Sequence, residues 1–268
     1  GNEIITYYNN SPSTLNFLWV QLDQNIRAKD ADKYKINERL YGGYPIDAKR
    51  MPYNTFDADF EGGFEITAVE DMDESGLSFH RVKTMMRINL PVPLMSGSVV
   101  KFKIKWNYLI GNRRDDDERS GYEYFPKDKN YLYTIAQFYP RMAVFDDFNG
   151  WQNKQFLGQG EFTLNFGNFD VKITAPADHI IAATGSLENE SLVLDSIQFE
   201  RLQVARESFD EPVMIITEQE AILNEGSRSN QTKTWHYKAE NVRDFAFVSS
   251  RKFIWDAQAV QFDQRTTM

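Results

Sequence analysis

The chain has 268 residues, a formal net charge of −9 and an aromatic content of 14%. Proteins bind nucleic-acid phosphates through clustered Lys and Arg. The sequence has no basic stripe with interleaved aromatics, so we exclude a nucleic-acid-binding protein. It also has no cysteine, which excludes disulfide frameworks, thiol nucleophiles and thiolate metal sites. No apolar run approaches the length of a membrane span.

Alternation with a period of two residues predicts short strands along the first part of the chain. They are expected over residues 4–9, 15–22, 64–69, 77–82 and 84–90. The second is apolar on both faces, which is typical of a strand inside a sheet. We expect the third and fourth to pair across an acidic turn. Pro91 and Pro93 are expected to end the fifth, since proline cannot donate to a sheet ladder.

The clearest half-buried strand follows at residues 100–108, where apolar and aromatic residues alternate with lysines. Residues 131–187 then contain a strand that Pro140 interrupts, an aromatic and acidic turn around Asn149 and Gly150, and a second strand over 162–173. The last strands, over 234–239 and 245–248, are expected to pair with each other.

Helical patterns are scarce. Residues 195–208 predict one helix, with Ile197, Leu202, Val204 and Ala205 as its buried positions, and residues 28–40 contain a weaker candidate. Short strands at regular spacing with so little helix predict an all-β fold. We expect a saddle-like β-sandwich of mixed or antiparallel sheets with one or two short helices, forming a single domain over residues 1–268.

The three histidines are His80, His179 and His236. Each stands alone in a strand or strand-edge pattern, without the spacing that places two imidazoles on one helix face for zinc. The zincin signature His-Glu-x-x-His is absent from the sequence. We therefore predict no metal ligand and no catalytic residue in this chain, and interpret the histidines as structural or surface residues.

Two acidic clusters resemble functional sites. Four acids at residues 115–118 are contiguous and flanked by arginines, whereas a calcium loop places its ligands at alternating positions, so we interpret this segment as a self-neutralising solvated loop. Asp146 and Asp147 resemble an acid–base pair, but neighbours in extended backbone point to opposite faces. We expect one of these carboxylates to accept turn amides or to pair with Arg141.

An ordered set of segments resembles the amino-terminal domain of the aminopeptidase N family of zinc metallopeptidases. The family's second strand is similar to the segment ITYYNNSPSTLNFLWVQLDQN. The last strands of the family's domain are similar to the segment TWHYKAENVRDFAFVSSRKFIWDA. Between them the family has a Gln-containing strand, a proline, an aromatic-x-Asp turn, a proline-rich strand edge and a Thr-Gly turn. The matching residues are Gln137, Pro140, Arg141, Phe145, Asp146, Asp147, Trp151, Pro176, Thr184 and Gly185.

The resemblance implies a bacterial, non-catalytic amino-terminal domain that packs on a catalytic domain and lines its substrate cavity. In the family, the residue matching Gln137 lines the subsite that receives the substrate's first side chain, so Gln137 is the predicted substrate-binding residue. The alternative is a glutamine that only pairs backbone in a strand corner. Phe138, Tyr139 and Trp151 either shape the neighbouring wall or pack in the core.

The same resemblance implies that the zinc ligands and the general base belong to a catalytic domain beyond Met268. No cofactor is expected in this chain, zinc is expected in that domain, and the chain is expected to be inactive alone. Its implied partners are the parent's own catalytic domain and a peptide substrate. The chain begins without an initiator Met, so we expect a processed or excised segment, and a periplasmic, secreted or membrane-associated location stays open.

Two alternatives stay open at the level of sequence. One is a stand-alone β-sandwich that binds carbohydrate or protein, which an exposed row of Trp and Tyr on one sheet face would favour. The other is a scaffolding relative that keeps the family's shape without its zinc.

Overall fold

The computed structural model describes residues 1–32, 60–113, 120–158, 163–262 and 265–267. The chain divides into two compact units, the first from residues 1–118 and 137–166 and the second from residues 119–136 and 167–268. The acidic loop at 115–118 and most of the candidate helix at 28–40 lie outside the described residues. Strands make up 46% of the structure and helices 13%, so the predicted all-β class is confirmed.

The first unit contains two main antiparallel sheets. Three strands form one sheet in the order β1 (Asn2–Tyr8), β6 (Val99–Asn107) and β3 (Glu65–Asp71). The other has the order β4 (Phe79–Val82), β5 (Met85–Leu94), β2 (Leu15–Gln21) and β9 (Arg141–Met142). A short hairpin joins β10 (Phe145–Asp146) to β11 (Gly150–Trp151), and a 3-10 helix spans Asp23–Arg27.

The period-two pattern over residues 100–108 correctly predicted which face of β6 is buried. In β6, Phe102, Ile104 and Trp106 are buried while Lys101 and Lys105 are exposed. β2 has a neighbour on each side, which confirms its interior position, and its Leu18 and Val20 are fully buried. Burial of such side chains is the main favourable term in folding.

The prolines do not end β5, contrary to expectation, because the strand runs through Pro91 and Pro93 to Leu94. Leu15 pairs with Leu94 and Phe17 with Asn89, so the ladder between β2 and β5 is irregular there. The intervening residues of β5 lie outside the regular register. A proline is tolerated at such a position because no ladder N–H is required of it.

The second unit contains two larger sheets and two short strand pairs, all antiparallel. The first sheet has the order β13 (Ile180–Ala183), β17 (Phe247–Ser250), β8 (Asn130–Ile135) and β7 (Gly121–Phe125). In the second sheet, β16 (Thr232–Val242) lies between β12 (Gly167–Pro176) and β14 (Ser186–Leu187). The short pairs are β15 (Val213–Ile216) with β18 (Trp255–Ala257), and β19 (Val260–Phe262) with β20 (Arg265–Thr267).

Two predicted strand pairs are wrong. β3 pairs with β6 and β4 with β5. Between the predicted partners, the described residues show only the start of a hairpin, with a bridge from Glu70 to Gly76 and a backbone hydrogen bond from the Leu77 amide to the Val69 carbonyl oxygen. The closing strands β16 and β17 lie in different sheets. The reason is that a period-two pattern determines which face of a strand is buried but not which strand lies beside it.

The described residues contain three short α-helices rather than one or two: α1 (Glu190–Val193), α2 (Ser196–Ala205) and α3 (Glu218–Glu225). Asp195 and Thr217 begin the last two with capping boxes, in which side chains satisfy otherwise unpaired helix amides. Within α2, Leu202 and Ala205 are buried as predicted, whereas Ile197 and Val204 are exposed. No helix in the described part of the chain is long and apolar enough to cross a membrane.

Candidate functional site

Gln137 lies in the corner between β8 and β9, and its backbone φ is +53°. This left-handed conformation is uncommon for a residue with a side chain, since the Cβ approaches the following carbonyl oxygen. The residue is half-buried. Its own side-chain amide makes no hydrogen bond to any described residue, so both its donor and its acceptor are available.

Two side chains hold the backbone of this corner. Gln24 Nε2 donates to the carbonyl oxygen of Gln137 at 2.9 Å, and Trp106 Nε1 donates to that of Phe138 at 3.0 Å. Successive carbonyls are thus fixed by donors from the 3-10 helix and from β6. Such support is required because a strained backbone persists only where its surroundings determine it.

The 3-10 helix contributes a buried polar network beneath the corner. The Arg27 Nη1 group donates to Gln24 Oε1. Asp23 and Arg141 form a two-pronged ion pair, Nε to Oδ2 and Nη2 to Oδ1, both at 2.9 Å. The side chains of that pair are 1% and 6% exposed, so the carboxylate is occupied in a structural pair rather than available as a general base.

Gln21 adds a further buried polar side chain, 2% exposed, whose Nε2 and Oε1 have no hydrogen-bond partner within the described ranges. It pairs with Arg141 across the β2–β9 ladder. The sequence pattern over residues 15–22 is apolar on both faces and gave no sign of a buried polar Gln21, and it did not single out Asp23 or Gln24. The signal available was the polar run Gln-x-Asp-Gln-Asn directly after a buried strand.

The aromatic side chains named from the sequence pack against other rings of the first unit. Trp151 lies 5.1 Å from Phe145 and 6.1 Å from Tyr7 between ring centroids, and it is half-buried. Phe138 and Tyr139 meet edge to face at 5.1 Å. These contacts fit the core-packing interpretation for Trp151 and Tyr139, which is 9% exposed.

Asp146 has the structural role expected of one carboxylate in the aromatic turn. Its Oδ1 accepts from the amides of Phe148 at 3.1 Å and Asn149 at 2.7 Å, and its Oδ2 from Gln152 Nε2 at 2.6 Å. The Asn149 amide and these other hydrogen bonds lower the pKa of the Asp146 carboxyl. Arg141 pairs with Asp23 instead.

The histidines do not converge on a site. His80 is exposed on β4, His236 Nε2 lies 2.8 Å from Asp170 Oδ1, and His179 Nδ1 lies 2.8 Å from Ser249 Oγ. Among the described residues, no three His, Asp or Glu side chains are grouped so as to hold a metal ion. The corner around Gln137 offers a neutral side-chain amide, which can donate and accept hydrogen bonds.

Comparison with known proteins gave matches among solved structures. The sequence matches no protein-family model and no curated protein. The structure is similar to the M1 zinc metallopeptidase from Deinococcus radiodurans, with 10% identity and a TM-score of 0.44 over 99% of this chain. A mutant of that enzyme bound to a Tyr-Ser-Ala substrate gives the same values.

A two-domain M1 zinc metallopeptidase mutant bound to L-tryptophan also matches, with 10% identity, a TM-score of 0.44 and 99% coverage of this chain. The chain spans about two fifths of these structures, 41% of their length. The matched proteins are of the class that the sequence resembles.

Proposed function

We propose that this chain is the non-catalytic amino-terminal domain of a zinc-dependent aminopeptidase. In this proposal both compact units belong to one domain, which packs on a catalytic domain and lines its substrate cavity with Gln137. The order of the matching sequence segments supports the family. The observation that supports the site is the contrast at Gln137. Its carbonyl oxygen and that of Phe138 accept side-chain hydrogen bonds, while its own side-chain amide has no hydrogen-bond partner among the described residues.

A neutral amide suits the role proposed for Gln137. It donates and accepts hydrogen bonds without a charge, so it orients the end of a peptide without restricting the cleaved residue to one charge type. The zinc-bound water that attacks the peptide bond would be supplied by the catalytic domain. In this proposal the catalytic domain carries out the chemical step, and this chain binds and orients the substrate without transferring a proton.

The first test is to read the coding sequence beyond Met268. We expect a His-Glu-x-x-His motif and a downstream Glu on the same polypeptide, which would supply the zinc ligands and the general base. A homologous domain without that motif would instead identify a scaffolding relative, and an immediate stop codon would contradict the aminopeptidase proposal.

The second test is Gln137→Ala in the full-length polypeptide. Loss of one substrate hydrogen bond is worth about 1 kcal/mol, so we expect kcat/KM for small aminoacyl substrates to fall roughly five- to tenfold. Gln203→Ala is the control, because it removes a half-buried glutamine from α2 in the other unit. Unchanged kcat/KM with an intact fold would remove Gln137 from the site.

A second candidate function has an observation of its own. Tyr122, Tyr124, Tyr131 and Tyr133 share one face of the β7–β8 ladder, where 122 faces 133 and 124 faces 131. Tyr124 and Tyr131 are each 38% exposed, and their ring centroids are 4.8 Å apart. This tyrosine row favours a binding module for carbohydrate or protein, and it becomes the leading proposal if the gene ends at Met268.

A further inference from the structure

Gln24 uses both ends of its side-chain amide within the first unit. Its Nε2 donates to the Gln137 carbonyl oxygen at 2.9 Å, and its Oε1 accepts from Arg27. It is 2% exposed and lies on the 3-10 helix Asp23–Arg27, 113 residues away from Gln137 in sequence. A buried amide held by an arginine is a fixed donor rather than a flexible one, because its own rotation would break the second bond.

The corner needs such a donor. The left-handed region is unfavourable for a residue with a side chain, and relaxation toward ordinary backbone would turn the Gln137 side chain in another direction. The Gln24 bond opposes that relaxation at the Gln137 carbonyl, while Trp106 acts one residue later. The direction of the Gln137 side chain is thus set from outside its own segment.

We propose that Gln24 is a positioning residue that fixes the direction of the Gln137 side chain toward a peptide substrate. This inference rests on the function proposed above for Gln137. In this proposal the 3-10 helix positions a residue of the substrate subsite, although Gln24 itself is buried and does not contact substrate.

A double-mutant cycle in the full-length polypeptide tests this role. Gln24→Met keeps the length of the side chain and removes its hydrogen bonds. We expect it to lower kcat/KM for small aminoacyl substrates by about two- to tenfold, the range for one neutral hydrogen bond, mainly through KM because the contact aids binding. In the Gln137→Ala background the same substitution should have no further effect, because no side-chain amide is left to orient.

Gln155→Met is a matched control. Gln155 Nε2 donates to the Val82 carbonyl oxygen at 2.9 Å, and its Oε1 accepts from the Thr84 amide at 2.9 Å, so the substitution removes a comparable backbone contact elsewhere in the same unit. It should leave kcat/KM unchanged. If Gln24→Met does not fold, Gln24→Glu keeps the Arg27 contact and replaces only the donor.

A direct measurement on this chain accompanies the kinetics. With ¹³C-labelled backbone, Gln24→Met should shift the Gln137 carbonyl resonance, and Gln155→Met should not. An unchanged resonance would overturn the proposal, and so would an equal loss of kcat/KM in both backgrounds, since that marks general support of the fold. If Gln137→Ala impairs turnover and Gln24→Met does not, only the positioning role fails; if Gln137→Ala has no effect, both proposals fail.

Discussion

At the scale of single residues, His179 carries the clearest link between burial and pH. The side chain is 3% exposed, its Nδ1 bonds Ser249 Oγ, and the ring of Tyr133 lies 6.1 Å away. Burial, with a smaller contribution from the Arg251 charge, lowers its pKa to about 4. The folded protein therefore holds this imidazole neutral over a range in which the unfolded chain binds a proton.

We predict a pH-dependent loss of stability from this histidine. Because the folded pKa is depressed, its contribution is complete above pH 6.5 and is lost as pH falls from 6.5 toward about 4. The loss at pH 4 amounts to roughly 3 kcal/mol. Urea unfolding between pH 7.5 and 4.5 measures how the free energy of unfolding falls with pH. This free energy should fall less steeply for His179→Gln than for the wild type, whereas the exposed control His80→Gln should follow the wild type. Equal pH dependence for His179→Gln and the wild type would contradict the prediction.

The candidate site was predictable only in part. Gln137 was identified from a short motif through family resemblance, without reference to its neighbours. Its supports Gln24 and Asp23 were not, because the bonds Gln24–Gln137 and Asp23–Arg141 join residues 113 and 118 positions apart. Local patterns contain no information about contacts of that range, and a buried polar run looks like a turn in sequence.

At the scale of elements, α2 shows how a polar anchor sets the rotation of a helix. Its apolar residues are spread around the axis, so the sequence pattern predicted Ile197 and Val204 as buried, although both are exposed. Arg201 Nη1 bonds the Ile215 carbonyl oxygen on β15 at 3.1 Å and both carboxylate oxygens of Glu220 on α3. Those bonds fix the helix with Leu202 and Ala205 inward.

We predict opposite outcomes for apolar residues within this one helix. Leu202→Ala should cost about 2–5 kcal/mol of unfolding free energy, since it leaves a cavity. Ile197→Gln and Val204→Gln should each stay within about 0.5 kcal/mol, because both side chains are already exposed. Urea unfolding of the three variants measures the difference, and a large cost for either glutamine variant would mean that the helix is rotated in solution.

Element positions were more predictable than element partners. The sequence patterns of β1, β2 and β6 located those strands, and the alternation in β6 also identified its buried face, since both follow from a local period. The pairing of β3 with β6, and the separation of β16 from β17 into different sheets, depend on the paths of intervening segments. No pattern within a single strand specifies that path.

At the scale of the whole molecule, β1 is a sheet edge that its own sequence leaves unprotected. It pairs with β6 on one side only among the described strands, and its register with β6 is continuous from Asn2 to Tyr8. It contains no lysine, proline or bulge of the kind that prevents an exposed edge strand from pairing with another chain. Its Ile4 and Tyr8 are 60% and 62% exposed.

We predict that this chain associates through β1 as its concentration rises. Light scattering after size exclusion should show a growing dimer population. Thr6→Lys, which places a charge on the exposed side of the edge, should suppress it. Asn230→Lys, which adds the same single charge at an exposed position of the other unit, controls for net charge. A monomer at all concentrations would contradict edge pairing.

The left-handed corner at Gln137 has a consequence for how this position tolerates change. Glycine populates that backbone region without a steric cost, and asparagine adopts it more readily than most residues. A library selected only for folding would therefore drift toward those two residues, whereas selection for turnover would retain glutamine. Under the proposed function, position 137 would be one at which stability and activity favour different residues.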